Sequence, residues 1–399
     1  MPARENAAIE AAKRAAVEVL LSNAKRSKTG LPRTAAWGYP EPYTRDLMMS
    51  ALGFLVSESG DLVDALRRTL EALARNQSER GLIPGLANDP QDLGSSDTTP
   101  WFLIGLALYR SYSGEATFLG EAAKKALRWL EYQSPDDRVM IGQQPTSDWR
   151  DEQWVDGYGL YVNALYYMAL CLHGCPRRAA TLRRLMNRFT ITKSHKHAHV
   201  HEGLHVANKP YYALWALKVH SSERFDLVGN SLAIIGGIPS RSRAEKIVTW
   251  VEAECQALRK DGLLFGDLPP NLFPYIERDH PDWRRRYEDY NQPGEYHNGG
   301  VWPFACALYV AAQVAAGRVK AARRSLVALT RLVKGSRRGD LEYGFNEWFK
   351  AQDDTPRGQD WQTWSAALYL YAAACVERGG TPFLDDLRRE RNGCAKERS

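Results

Sequence analysis

Tyr296-His297-Asn298-Gly299-Gly300-Val301-Trp302-Pro303 leads into a run, Trp302 to Ala316, that is apolar nearly all round. A helix can have that composition only if it is buried on every side. The stretches flanking it, near 240–258 and 317–334, also repeat at helical spacing but carry Lys, Arg and Glu on one face. They read as outer helices with one face in water. The same pairing recurs along the chain. Outer helices are expected near 5–24, 60–76, 117–133, 177–193, 240–258 and 317–334, and inner ones near 44–57, 98–113, 158–173, 227–236, 298–316 and 361–377. Two concentric rings of six, an all-α (α/α)6 toroid forming a single domain over residues 1–399, satisfy both patterns. An open solenoid would need repeats that resemble one another in sequence, and these do not. Runs with strand alternation are few and short.

Each inner helix opens on polar and aromatic residues. The openings are Tyr43-Thr44-Arg45-Asp46, Ser96-Asp97-Thr98-Thr99-Pro100-Trp101, Asp156-Gly157-Tyr158-Gly159, Asp226-Leu227-Val228-Gly229-Asn230, Tyr296 to Trp302, and Gly358-Gln359-Asp360-Trp361-Gln362-Thr363-Trp364. Carboxylates, amides, Arg and His suit the hydroxyl edges of a sugar ring, and indole and phenol faces suit its C–H faces. For a single opening, an N-cap and a core tryptophan explain the residues as well. Their recurrence at every inner helix favours one sugar-binding pocket. The long connections 77–96, 134–156, 194–225, 259–297 and 335–359 run toward the same ends, and such loops are commonly functional.

The bulk composition fits an enzyme with a large core: 399 residues, 44% of them hydrophobic. Lys plus Arg exceed Asp plus Glu by 53 − 47 = 6, spread over outer helices such as Arg178 to Arg188 and Arg318 to Arg338. With no basic arm, phosphate loop or nucleic-acid module, this reads as a solvated face, and no nucleic-acid partner is expected. No stretch nears the roughly 20 apolar residues of a membrane span, and Met1 to Arg14 lacks a signal-peptide core. A cytoplasmic protein without a membrane partner is expected, with a homo-oligomer left open. Cys171, Cys175, Cys255, Cys306, Cys375 and Cys394 lack metal-ligand spacing and should stay reduced.

Two acidic positions stand apart from the openings. One lies in Thr146-Ser147-Asp148-Trp149-Arg150-Asp151-Glu152, the other in Asn346-Glu347-Trp348-Phe349. Hydrolysis of a glycosidic bond needs a carboxylic acid to protonate the leaving oxygen and a carboxylate on the opposite face of the ring. Two loops from different sides of a toroid can supply that opposition.

Here the chain resembles the alkaline/neutral invertase family of glycoside hydrolases and, more distantly, glycogen-debranching glucosidases and trehalase-like toroids, from about Tyr43 to Tyr371. Tyr43-Thr44-Arg45-Asp46-Leu47 is similar to the family's Val-Arg-Asp-Phe helix. Asp97 with Trp101 and Phe102 is similar to its Asp-Ser-Gly-Leu-Trp-Trp segment, and Gly229-Asn230-Ser231-Leu232 to its Gly-Asn-Leu helix. The most specific match is Tyr296 to Pro303 against Tyr-His-Asn-Gly-Gly-x-Trp-Pro, followed by Gln362-Thr363-Trp364-Ser365. The resemblance implies an inverting mechanism with the acid at Asp151 and the base at Glu347, and no metal or other cofactor. Spacing to Gly157 is one residue shorter than in the invertases, which keeps Asp148 as a rival acid. A shortened stretch before Gln362 keeps Glu342 as a rival base. Residues 259–295 do not reproduce the invertase segment.

The substrate is expected to be a small glycoside, with Arg45, Asp46 and Asp97 on the hydroxyls of the reacting sugar. His297 and Asn298 are assigned to the pocket floor, and Gln359, Trp361 and Trp364 to an amide and stacking faces. Trp149 and Trp154 flank the acid; Tyr43, Trp101 and Trp302 read as either stacking platform or core, Trp101 leaning to platform, and Tyr158 joins the substrate-binding residues. His195, His197, His199, His201 and His205 alternate as metal ligands can, but a polar loop over the pocket mouth is the simpler reading. The leading function is an inverting, exo-acting hydrolase of a sucrose-type disaccharide. Alternatives are an α-glucosidase on a trehalose-like or α-1,6-linked glucoside, a sugar epimerase or isomerase, and a non-catalytic sugar-binding toroid. The epimerases use a histidine pair, and nothing pairs His297 with a second histidine.

Overall fold

The computed structural model of the chain describes residues 2–25, 27–135, 139–188, 190–191, 204–206, 208–217 and 220–388. Outer and inner helices alternate in six pairs: α1 (Pro2–Lys25) and α2 (Thr44–Val56), α3 (Gly60–Arg75) and α4 (Thr98–Ser113), α5 (Gly120–Glu131) and α6 (Leu160–Leu172), α7 (Pro176–Arg188) and α8 (Leu227–Gly236), α9 (Arg241–Lys260) and α11 (Pro303–Ala315), α12 (Val319–Leu332) and α13 (Thr363–Arg378). The short α10 (Tyr287–Tyr290) lies in the loop between α9 and α11.

The inner helices close a ring. Helix α2 packs on α4, α4 on α6, α6 on α8, α8 on α11, α11 on α13, and α13 back on α2. That last contact rules out an open solenoid. At the closure, Gly53 lies so near α13 that a Cβ there would stand 2.1 Å from the Ala367 carbonyl oxygen. Only glycine lets the two backbones meet. Outside this ring, helix α1 bridges α3 and α12. All residues of α11 from Pro303 to Val314 are buried, and each large apolar side chain so enclosed contributes about 1.5–3 kcal/mol. Among the described residues, no helix is long and apolar enough to cross a membrane.

Short strands form within the connections from outer to inner helices. They are β1 (Tyr158–Gly159), β2 (Thr190–Ile191), β3 (His205–Val206), β4 (Ala213–Leu217), β5 (His220–Asp226), β6 (Leu272–Phe273), β7 (Trp348–Phe349) and β8 (Pro356–Arg357). Four of them form an antiparallel sheet in the order β1-β4-β5-β6. The run Ala213 to Leu217 is apolar without alternation, so its strand character comes from pairing with β5 rather than from its own pattern. The sheet and the β7–β8 hairpin stand at the N-terminal ends of the inner helices. There Asp226 ends β5 at the residue before α8, and Glu347 immediately precedes β7.

None of the six inner helices has a side-chain hydrogen bond from its N-cap residue. Capping therefore does not account for their polar openings. Helix α11 starts at Pro303 rather than near 298 because Pro303 suits the first turn and Gly299 takes a φ of 106°.

Candidate active site

Tyr39, from the loop before α2, and Tyr296, from the loop before α11, each lie near enough to both Asp151 and Glu347 to feel their charges. The Glu347 charge, then burial, then Asp151 raise the Tyr39 phenol pKa. Burial, then Asp151 and Glu347, raise that of Tyr296. Thr146, Tyr296, Phe345 and Trp361 on the surrounding loops hold left-handed φ values of 59°, 44°, 39° and 56°. Such conformations cost of order 1–3 kcal/mol each and cluster where function needs them.

Glu347 is 5% exposed, and burial raises its pKa to about 7. The Gln359 N–H, donating to Oε2 at 2.9 Å, opposes that rise, while the nearby charges of Asp46 and Asp151 reinforce it. Gly358 presses on the carboxylate so closely that a Cβ there would lie 2.2 Å from Oε2. Asp46, also buried, is raised to about 7, mainly by burial, with Arg45 opposing. Asp46, Asp151 and Glu347 thus lie within electrostatic reach of one another, Asp151 raising the pKa of Asp46 and both raising that of Glu347.

Asp151 stands at the wet rim, with 64% of its side chain accessible. The protein behind it still raises its pKa through desolvation, with Arg45 opposing and Glu152 and Asp148 adding. Water that reaches the side chain screens these charges. His297 Nε2 lies 3.9 Å from Asp151 Oδ1. Burial drives His297 well below its usual pKa, so its imidazole is neutral.

The rival carboxyls have other roles. Asp148 is buried and accepts Arg150 Nη2 at 2.7 Å, the Arg150 N–H at 2.8 Å and Gln143 Nε2 at 3.1 Å. Burial alone would raise it, but Arg150 outweighs that and holds it below the usual carboxylate range. Glu342 is an exposed loop residue. Arg150 also reaches Asp226 Oδ2 at 3.0 Å, making a buried Asp148–Arg150–Asp226 triad beneath the acid loop. Replacing Arg150 by Met would strand two buried carboxylates. The expected loss is about 3–5 kcal/mol of stability in urea unfolding at neutral pH. It should shrink in acid, where the carboxylates take up protons.

Several residues expected to touch sugar do not face the cleft. Asp97 is fully enclosed and bonds Arg45 Nε at 2.5 Å, Ser95 Oγ at 2.6 Å and Tyr161 Oη at 3.0 Å, so it orients Arg45. Trp101 is core, its Nε1 donating to Tyr161 Oη at 2.7 Å. Asn298 is consumed by the backbone of Ile276 and Asn291, and Tyr158 pairs in β1. Trp302 and Trp149 are buried edge to face, with Trp302 at 81° to Trp364, as an aromatic floor under His297. Trp154 is 40% exposed beneath the Arg284 guanidinium, and Tyr43 is 37% exposed. Gln359 is half-buried where Gly38 passes over it, and Trp361 packs against Trp37 at 5.3 Å. Tyr39 is absent from the residues that sequence reasoning singles out, although Trp37-Gly38-Tyr39-Pro40 before an inner helix is a readable aromatic turn.

His195, His197, His199 and His201 lie outside the described residues. His205 lies in β3, and among the described residues no group of His, Cys, Asp or Glu is arranged to hold a metal. Among the described residues, Cys255, Cys306 and Cys375 are buried and Cys171 and Cys175 half-buried, and they form no disulfide; Cys394 lies outside the described residues.

A family model described as alkaline and neutral invertase matches residues 177–378, just over half of the chain. The chain belongs to the alkaline and neutral invertase family of glycoside hydrolases. The matched part contains Glu347 and the last three openings; Asp151 lies before it. Cytosolic invertase 1 of Oryza sativa subsp. japonica is 29% identical over 161 residues, 39% of this chain and 26% of that protein. Probable alkaline/neutral invertase D of Arabidopsis thaliana is 29% identical over 161 residues, 39% of this chain and 27% of that protein. The chain thus matches about a quarter of the length of these curated relatives.

Solved structures carry the same fold. The GH63 mannosylglycerate hydrolase from Thermus thermophilus, in complex with Tris and D-glycerate, superposes with a TM-score of 0.60 at 16% identity, over 90% of this chain and 99% of that one. A bacterial glucoamylase complexed with acarbose gives 0.64 at 14% identity, over 95% and 57%.

Proposed function

We propose that this invertase-family protein is an inverting, exo-acting hydrolase of a small α-glucoside, sucrose being the first substrate to test. The observation that carries the reading is the placement of Glu347, buried and held by the Gln359 N–H, within electrostatic reach of the water-accessible Asp151. Glu347, once ionised, takes a proton from a water that attacks the anomeric carbon. Asp151 gives its proton to the departing oxygen. Solvent reaches Asp151 at the rim; a substrate that covers it there desolvates it and raises its pKa further, which favours the protonated form. Asp46 and Arg45 hold hydroxyls of the reacting sugar, and Tyr39 and Tyr296 flank the scissile bond.

Release of reducing sugar from sucrose, trehalose and isomaltose tests the activity and separates the sucrose reading from the other glucosidase readings. Proton NMR of the first glucose released tests the mechanism. The β-anomer is expected, because an inverting pair is roughly 6.5–9.5 Å apart and leaves room for the water. Release of the α-anomer would exclude inversion. An epimerase reading finds little support: the other described histidines sit elsewhere, His173 bonding the Leu103 carbonyl and His280 lying beside Asp282. A cytoplasmic location is part of the proposal. It agrees with Cytosolic invertase 1, whereas other relatives carry mitochondrial or chloroplastic names.

A further inference from the structure

An exposed side chain receives little orientation from packing, so the placement of Asp151 must come from its backbone. On the inner side the neighbouring Arg150 is locked into its buried triad. On the outer side the loop is held by residues 286–291, part of the segment that does not reproduce the invertase pattern.

Asn291 is fully enclosed and works in two directions at once. Its Nδ2 donates to the Glu152 carbonyl at 2.8 Å, and its Oδ1 accepts the His297 N–H at 2.9 Å. Its own carbonyl accepts Asn298 Nδ2 at 2.9 Å. One side chain therefore ties the residue after Asp151 to the residue whose imidazole faces Asp151. Tyr287 strengthens the tie by accepting the Trp154 N–H on its hydroxyl at 2.8 Å, and Arg286 pairs with Glu152.

We propose that Asn291, supported by Tyr287, is a positioning residue for the acid: it fixes where Asp151 stands relative to His297 and the leaving oxygen. The role demands an amide, since one atom must donate and the other accept. The proposal rests on the reading of Asp151 as the acid.

The test compares two substrates that differ in their need for protonation. One is whichever panel disaccharide the wild-type protein cleaves; the other is α-glucosyl fluoride, whose fluoride leaves with little help. Asn291→Asp keeps the acceptor for His297 but turns an oxygen toward the Glu152 carbonyl. It should lower kcat/KM on the disaccharide about 10–100-fold and on the fluoride less than about threefold, the size expected of a misplaced acid. Tyr287→Phe should show the same split to a smaller degree and serves if Asn291→Asp does not fold. Equal losses on both substrates, or none, would mean a merely structural role and overturn the proposal. Asp151→Asn is the reference: if it shows no split, the acid assignment falls and takes this inference with it. If it does and the Asn291 and Tyr287 variants do not, only the positioning role falls.

Discussion

Glu347→Gln is expected to retain less than about one part in a thousand of the wild-type hydrolysis, the upper range of what a general base contributes. The amide keeps the volume of the carboxyl, and its Oε1 can still accept the Gln359 N–H that Glu347 now accepts at 2.9 Å. It cannot take a proton from water. Sugar binding should persist, measured as protection against thermal unfolding by glucose. Stability supplies a second readout with the opposite sign. A carboxyl raised from 4.5 to about 7 on folding destabilises the native state once it is forced to ionise. That penalty is absent below pH 4.5, grows between the two values and is complete above about 7. The uncharged amide removes it, so the variant should be more stable than wild type at about pH 8 and indistinguishable from it near about pH 4. An inactive protein that unfolds more easily at the higher pH would mean a folding defect, and one of near-wild-type activity would remove Glu347 from the chemistry.

The same shift predicts the acid limb of the pH profile. The base works ionised, so kcat, which reports the substrate-covered site where Asp151 is desolvated, should climb as pH rises through about 7. Removing the Asp46 charge, which helps hold Glu347 up, should move this limb to lower pH in Asp46→Asn, beneath an overall loss from weaker sugar binding.

Asp151→Asn is expected to cost about 10²–10⁴-fold on a disaccharide and far less on α-glucosyl fluoride. The carboxamide has no proton to give the glycosidic oxygen, whereas fluoride needs little. Because 64% of the side chain meets water, the fold should tolerate the change. Asp148→Asn is the control. It should weaken the buried triad and lower stability and both activities together, since Asp148 is enclosed and bound to Arg150. If Asp148→Asn alone produced the split between substrates, the acid would have to be moved to Asp148.

The sequence by itself determined the toroid. Helices buried on all sides alternate with helices charged on one face, and a closed double ring satisfies both; this survives any detail of packing because burial area sets it. It also marked Glu347, where Trp348 and Phe349 beside a glutamate are out of place on an ordinary exposed loop. Tertiary structure alone decided which of the polar openings gather around Glu347. Asp46 and Asp97 look alike as acids at helix openings, yet Arg45, Ser95 and Tyr161 close over Asp97 and leave Asp46 beside Glu347 and Asp151. Asp148 and Asp151, three residues apart, are separated in the same way by where Arg150 turns. Such choices depend on partners distant in the chain: Arg150 finds Asp226, and Asn291 finds Glu152 and His297. Helical period records which face is buried, but a hydrogen bond between loops 139 residues apart leaves no period to read.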